Sequence, residues 1–544
     1  MAGENTSLSG VEEALPTTAD GRRGGRKTIP FIIASVAGMM LAAGGLLNNL
    51  IVYLIQEFNV KSINAAQIYN VVSGCTNFFP VIAAIIADSF LGCFPVIWIS
   101  SLVSLPGLIL LVLTATVDSL RPSNGSAPSG FQYTVLFIAL ALVSIGRGGT
   151  SFTLATMGAN QLTESHHQAA YFTWFFFILY VSSVISATGI VYVEDNVSWC
   201  WGFGICLAAN VLGLVVFLLG RRYYCHESRQ GSPFASLAQV VVASFRKRKV
   251  AISSESDDYY CGVKEVAAKG PTNGFRLLNR AALKIEGDIF PDGSIAKPWR
   301  LCTIQQVEDL KTLIRIFPLW STSILLSTPI GIQGSLTVLQ ALTTNRHLGP
   351  HFQVPAGSMI VFTLLSTAIC LSLFDHCIWP LWKKVTHKNP TSLQQIGVGH
   401  VFTIASMAVS ALVESRRRAR AHPMSVLWLV PQLAIVGFGE AFHFPGQVAL
   451  YYQEFPTRLK SMATAMVAVL IGVGFYLSTL LIDFVRRVSG WLPDNIDDGR
   501  LDNVYWVLVV IGVLNFGYFL VCSWFYEYGS GKAMKEDQVS VSHE

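Results

Sequence analysis

FQYTVLFIALALVSIGRGGTSFTLATM, residues Phe131–Met157, is the stretch that decides the fold class. A helix needs roughly 20 mostly apolar residues to cross the hydrocarbon core of a bilayer, and this run meets that length. Late in it, Gly146-Arg147-Gly148-Gly149-Thr150-Ser151 sets a cation among glycines. A charge at that depth costs from about 3 kcal/mol on insertion scales to about 10 or more in simulations. An arginine there lines a solute path, pairs with a buried carboxylate, or snorkels to an interface. The glycines let neighbouring backbones approach, and Thr150, Ser151, Thr153 and Thr156 supply hydroxyls for a polar wall. A solute pathway is the default reading.

The rest of the chain is of the same kind. Of its 544 residues, 52% are hydrophobic and 13% charged, against about 25% charged in soluble proteins. That balance excludes an ordinary cytosolic enzyme. About twelve segments have spanning length, near 30–55, 65–87, 94–117, 132–157, 169–192, 199–220, 312–334, 356–380, 394–414, 425–449, 463–486 and 503–526. The predicted fold is an all-α membrane protein with twelve transmembrane helices.

Charge placement gives the orientation. Arg22, Arg23, Arg26 and Lys27 precede the first span and predict a cytosolic N-terminus, with the C-terminus returned to the same side. No cleavable signal peptide is expected, because the opening residues are polar. Predicted inner loops hold Arg221, Arg222, Arg246 to Lys249, Lys383, Lys384, Lys388, Arg458 and Lys460. Predicted outer loops hold Glu194, Asp195, Asp494, Asp497, Asp498 and Asp502. Arg416, Arg417, Arg418 and Arg420 fall on the outer side and break the pattern, although the remaining count outvotes them. The sequons at Asn124 and Asn196 are glycosylation candidates on that side, whereas Asn5 lies inside.

The chain divides into a cytosolic tail (1–29), six spans (30–220), a cytosolic linker (221–310), six further spans (311–527) and a second tail (528–544). Within the linker, Ser236 to Val250 pairs apolar positions with a basic end and is expected to lie as a helix on the anionic inner leaflet. The linker also offers a surface for cytosolic partners. The small net charge of +5 gives no sign of nucleic-acid binding. The ten cysteines and eleven histidines lack metal-ligand spacing, so no metal and no cofactor is expected. Neither a P-loop nor a catalytic constellation is present, which argues against an enzyme.

Several strings go further than composition. Ala87-Asp88-Ser89-Phe90-Leu91-Gly92 follows the second span, Tyr171-Phe172-Thr173-Trp174-Phe175-Phe176 opens the fifth, and Glu194-Asp195-Asn196-Val197-Ser198-Trp199 precedes the sixth. Trp299-Arg300-Leu301-Cys302-Thr303, Pro355-Ala356-Gly357-Ser358-Met359 and Gly439-Glu440-Ala441-Phe442 follow in order. From about Pro30 to Tyr526 the chain resembles the plant nitrate/peptide transporter family, part of the proton-dependent oligopeptide transporters within the major facilitator superfamily. The resemblance implies two six-helix bundles, alternating access and a central cavity shared by both halves. It also implies a cargo drawn from nitrate, peptides, chloride, hormones or glycosylated metabolites.

The chain departs from that family where proton coupling is concerned. The family's first-span Glu-x-x-Glu-Arg/Lys motif, placed by Pro30-Phe31-Ile32-Ile33 and Asn49-Leu50, falls on Val36, Met39 and Met40. None of these side chains holds a proton at an accessible pH. The family's fourth-span lysine falls on Ser151, one helical turn from Arg147 on the same face, so the pore's positive charge is expected to have moved by about 6 Å. This loss, together with Phe152-Thr153-Leu154-Ala155-Thr156, Gly439 to Gly446 and Tyr451 to Pro456, resembles the nitrate-excretion subgroup. The implied cargo is nitrate, then chloride, moved at low affinity with weak or atypical proton coupling, outward across the plasma membrane, with the vacuolar membrane as the alternative. A carrier of an anionic or glycosylated plant metabolite is the second reading, and a transceptor or signalling scaffold the third.

The expected substrate-binding set is Arg147, Thr150, Ser151, Asn49, Tyr53, Asn77, Trp320 and Gln333. Glu440 sits in mid-span, where an unpaired carboxylate is expensive, and is the expected partner of Arg147 across the cavity, as a structural pair or as a gate. His443 and Gln447 follow it at one-turn spacing, so the three are expected to share a face. His443 either senses protons or packs through hydrogen bonds. Asp88 is the expected conformational latch, weakened because Cys93 replaces the usual basic residue after Gly92.

Overall fold

The computed structural model describes residues 24–526 except 124, 163, 226–232, 254, 263–269, 292, 389, 421 and 456–462. Twelve helices are long and apolar enough to span. The first six are Arg26–Gln56, Ser62–Leu91, Cys93–Thr116, Gly130–Asn160, Tyr171–Asn196 and Trp199–Arg222. The second six are Ile304–Leu342, Ala356–Leu373, Ser392–Arg418, Val426–Glu454, Ala465–Val488 and Leu501–Phe525. Among the described residues no β-strand forms, only isolated bridges.

Each set of six packs as a bundle. In the first, span 1 lies on span 6 and span 3 on span 4; in the second, span 9 lies on spans 10 and 12, and span 7 on span 11. Without a hydrophobic force between helices in lipid, such contacts rest on close packing at small residues. The fourth span illustrates this. A Cβ on Gly146 or Gly149 would strike Ser104 or Ser100 of span 3, and one on Gly148 would strike Phe79 of span 2. The glycines that flank Arg147 therefore hold its helix tightly against two neighbours.

The bundles meet mainly through span 2 on spans 7 and 11, span 1 on the start of span 8, and span 5 on span 8. On the face opposite the chain ends, called the far face below, two ion pairs and a hydrogen bond close the seam. Lys61 binds Asp494 at 2.6 Å, Arg486 binds Asn64 at 2.7 Å, and Arg346 binds Asp195 at 3.2 Å. Tyr192 stacks on Phe352 beside them.

One loop expectation changes. Glu194 and Asp195 are not in a loop: a π turn at Ser186–Ile190 carries the fifth span on through Val191–Asn196, and Glu194 becomes buried. Of the arginines that broke the charge pattern, two are paired with carboxylates in place and two lie on an aromatic ring. Arg417 binds the fully buried Glu414 at 2.8 Å and Asp497 at 2.5 Å, Arg418 binds Asp502, and Arg416 and Arg420 lie over the Trp428 ring. The linker helix, Pro233–Arg246, packs on Arg276–Ala282 and on the base of span 7. Its basic end is split, for Arg246 and Arg248 are exposed while Lys247 is buried against Asp288 at 3.0 Å. Desolvation holds the Lys247 ammonium below its ordinary pKa, and the Asp288 carboxylate opposes that shift.

Candidate functional site

Arg147 leaves span 4 half-buried, and its guanidinium reaches the Met40 sulfur at 3.8 Å. Among the described residues no ion pair joins it to a carboxylate, and Tyr69 of span 2 is its electrostatic neighbour. Tyr69 in turn reaches across the seam: its hydroxyl faces Gly334 of span 7 and its ring meets Phe475 of span 11 edge-on. An opening of about 380 Å³ between the bundles is lined by Asn48 and Tyr69 on one side and Thr337, Gly357, Met359 and Leu433 on the other. A second opening, about 290 Å³, runs inside the first bundle past Met39, Ala43, Ser101, Arg147, Thr150 and Asn210.

The positions where the first-span motif is expected lie in this neighbourhood. Val36, Met39 and Met40 are buried, Ser101 donates to the Met39 sulfur at 3.7 Å, and Arg147 contacts Met40. The fourth-span cation thus touches Met40, one of the three positions on which the sequence reading expects the first-span motif to fall.

The other predicted residues separate into two groups. Thr150 and Ser151 stay beside Arg147, although both hydroxyls donate to its backbone carbonyl, at 3.1 and 2.8 Å. Asn77 is half-buried on span 2 next to Gly472 of span 11, donating to the Ser73 carbonyl at 2.9 Å. Asn49 is buried at the seam, pressed on Gly357, with no hydrogen bond to either amide atom.

Tyr53, Trp320 and Gln333 are instead held inside bundles. Tyr53 donates to Thr114 at 2.9 Å among Phe58, Trp199 and Phe203. Gln333 donates to Ser406 and Ser410, both at 3.1 Å. Trp320 packs edge-on against Tyr451 and Phe455. Period-3.6 reasoning places a polar residue on a face but does not say which neighbour that face meets.

Glu440 is half-buried on span 10 and forms no ion pair with Arg147, contrary to the expected pairing; its electrostatic neighbour is Tyr180 of span 5. His443 is more deeply buried than Glu440. It is fully buried, packed on Gly399 of span 9 and on Phe444, with neither ring nitrogen bonded to protein. Gln447 is buried with it. Asp88 lies in the π turn Ala87–Leu91, and its side chain is outside the described set. Asn196 is exposed at the end of the fifth span, as a sugar acceptor must be, and Asn124 is outside the described residues. Among the described residues no cluster of His, Cys, Asp and Glu is placed to hold a metal ion.

Residues 94–496 match the model of the POT family. The chain belongs to that family. Two Arabidopsis thaliana proteins extend the match over the whole chain. Protein NRT1/PTR FAMILY 2.6 is 51% identical across 99% of this chain and all of its own length. Protein NRT1/PTR FAMILY 2.7 is 52% identical across all of both. In fold, this POT-family member is similar to the crystal structure of the transporter PepTSo, with a TM-score of 0.72 at 17% identity over 92% of this chain and 98% of that one. An auto-inhibited POT family peptide transporter gives a TM-score of 0.70 at 18% identity, over 92% and 97%. The protein is a multi-pass membrane transporter of the NRT1/PTR group, with the major facilitator fold, and not an enzyme.

Sequence reasoning missed two residues of this POT-family transporter. Glu194 was assigned to a loop because the π turn has no sequence signature. Arg346 drew no attention because its partner, Asp195, lies 151 residues away.

Proposed function

We propose that this transporter carries a small monovalent anion, nitrate first and chloride second, by alternating access between its bundles. The observation that carries the reading is Arg147: a half-buried guanidinium in mid-span, without a carboxylate partner, touching Met40 where the family's own cation would fall. A planar guanidinium presents paired N–H donors that suit a planar anion. Its charge is expensive to move through lipid alone, and a bound anion offsets it, so cargo lowers the cost of reorienting the bundles. Val36, Met39 and Met40 supply no proton relay, which supports weak or atypical proton coupling. The excretion-like strings support nitrate and outward transport across the plasma membrane at low affinity.

The test is flux into proteoliposomes holding the purified protein, with labelled nitrate, labelled chloride and a labelled plant glucoside supplied in turn. Nitrate uptake above chloride, with the glucoside excluded, is the expected result. Transport of the glucoside alone would sink the reading in favour of a metabolite carrier, and no flux at all would favour signalling.

A further inference from the structure

Glu194 is 2% exposed, and among the described residues neither carboxylate oxygen accepts a hydrogen bond of good geometry, although the Asn49 amide is its polar neighbour. It occupies a built notch. A Cβ on Gly202 of span 6 would strike its side chain, and one on Gly45 of span 1 would come within 3.6 Å of its oxygen. The groups that face it are the Cys206 thiol from span 6, the Asn49 amide from span 1 and the Asp195 carboxylate on its own helix. None is a cation. Asp195 is already bound to Arg346 of the opposite bundle.

The notch sits directly under the far-face seam. Asn49 presses on Gly357 at the start of span 8, and the segment Val191–Asn196 packs on Ala356–Met359. When the seam closes, water is removed from a carboxylate that faces no cation and has only the Asn49 amide and the Cys206 thiol beside it. An ionised group there is costly, and the neutral acid does not bear that cost.

We propose that Glu194 is a proton-binding site of the far gate, taking a proton from the far-side water as the seam closes and returning it as the seam opens. One O–H bond forms on closure and the same bond breaks on opening. Protons on the far side then favour the form open toward the chain ends, and their removal favours the form open to the far side. The device acts on the gate, not the cargo, so it stands or falls separately from the anion reading.

The test uses the full-length protein in vesicles without any transported anion. Hydrogen exchange of peptides covering 186–202 and 343–362 reports the seam, with wild type and Glu194→Gln compared at the same pH so that intrinsic exchange cancels. Wild type should exchange faster than the variant above neutrality and match it in acid, because glutamine mimics the neutral acid. Infrared difference spectra should show a carboxylic C=O band that disappears in Glu194→Gln. Identical exchange in the two proteins at every pH overturns the proposal, as does a band that survives the substitution. A pH response that is lost instead in Glu440→Gln also overturns it, assigning the proton to the tenth span.

Discussion

Arg346 donates to the Asp195 carboxylate at 3.2 Å, tying the end of the fifth span to the chain beyond the seventh across 151 residues. Both side chains are mostly buried, so this pair is screened less than the exposed Lys61–Asp494 contact on the same seam.

Arg346→Gln is expected to loosen the far gate. Losing a part-buried pair at the seam should shift the balance toward the far-open form by about tenfold, which corresponds to roughly 1.4 kcal/mol. Asp195→Asn should do the same, and the double variant should fall short of the sum, because the two changes remove one interaction. Distance measurements between labels on Leu348 and Val197 report the shift; additive effects would count against a direct pair.

Arg147→Gln should reduce anion flux by about tenfold or more at unchanged surface expression, and Arg147→Lys should retain part of it, since lysine keeps the charge but loses the planar fork. Flux equal to wild type in the glutamine variant would remove Arg147 from the pathway.

Asp494 should not contribute to any gate response near neutral pH. Lys61, and then Arg486, hold its carboxylate below the usual aspartate range. A depressed carboxyl group contributes to closure above its ordinary range and loses that contribution only as pH falls through the lowered value. Asp494→Asn should therefore shift the gate by the same amount at pH values either side of neutrality. A shift that changes sharply across neutrality would show that Asp494 titrates there.

Glu414→Gln should lower thermal stability more than it lowers transport. The buried carboxylate accepts from Gln340 at 2.8 Å and pairs with Arg417, and breaking such a pair strands a buried charge at a cost of about 3 kcal/mol or more. Thermal unfolding in detergent measures it; an unchanged midpoint would mean that Asp497 alone satisfies Arg417.

Asp288→Asn should loosen the linker by leaving Lys247 buried without its counter-ion, in a cluster with Val240, Tyr259, Leu283 and Cys302. Limited proteolysis should then cut between residues 276 and 290 faster than in wild type, with the spans intact. Equal cutting rates would show that the linker is held by its apolar contacts.

The sequence by itself determined the twelve spans, their grouping by sixes and the family. Each of these is a matter of local composition or of residues present at given positions, and neither depends on which helix faces which. Tertiary structure decided the partners. Arg147 reaches Met40 and not Glu440, His443 turns into its own bundle, Gln333 and Tyr53 are used up in packing, and Glu194 is buried and not in a loop. Helical periodicity assigns a side chain to a face, but only the approach of another helix, governed by glycines such as Gly45, Gly202 and Gly399, fixes whether that face meets cargo, protein or lipid.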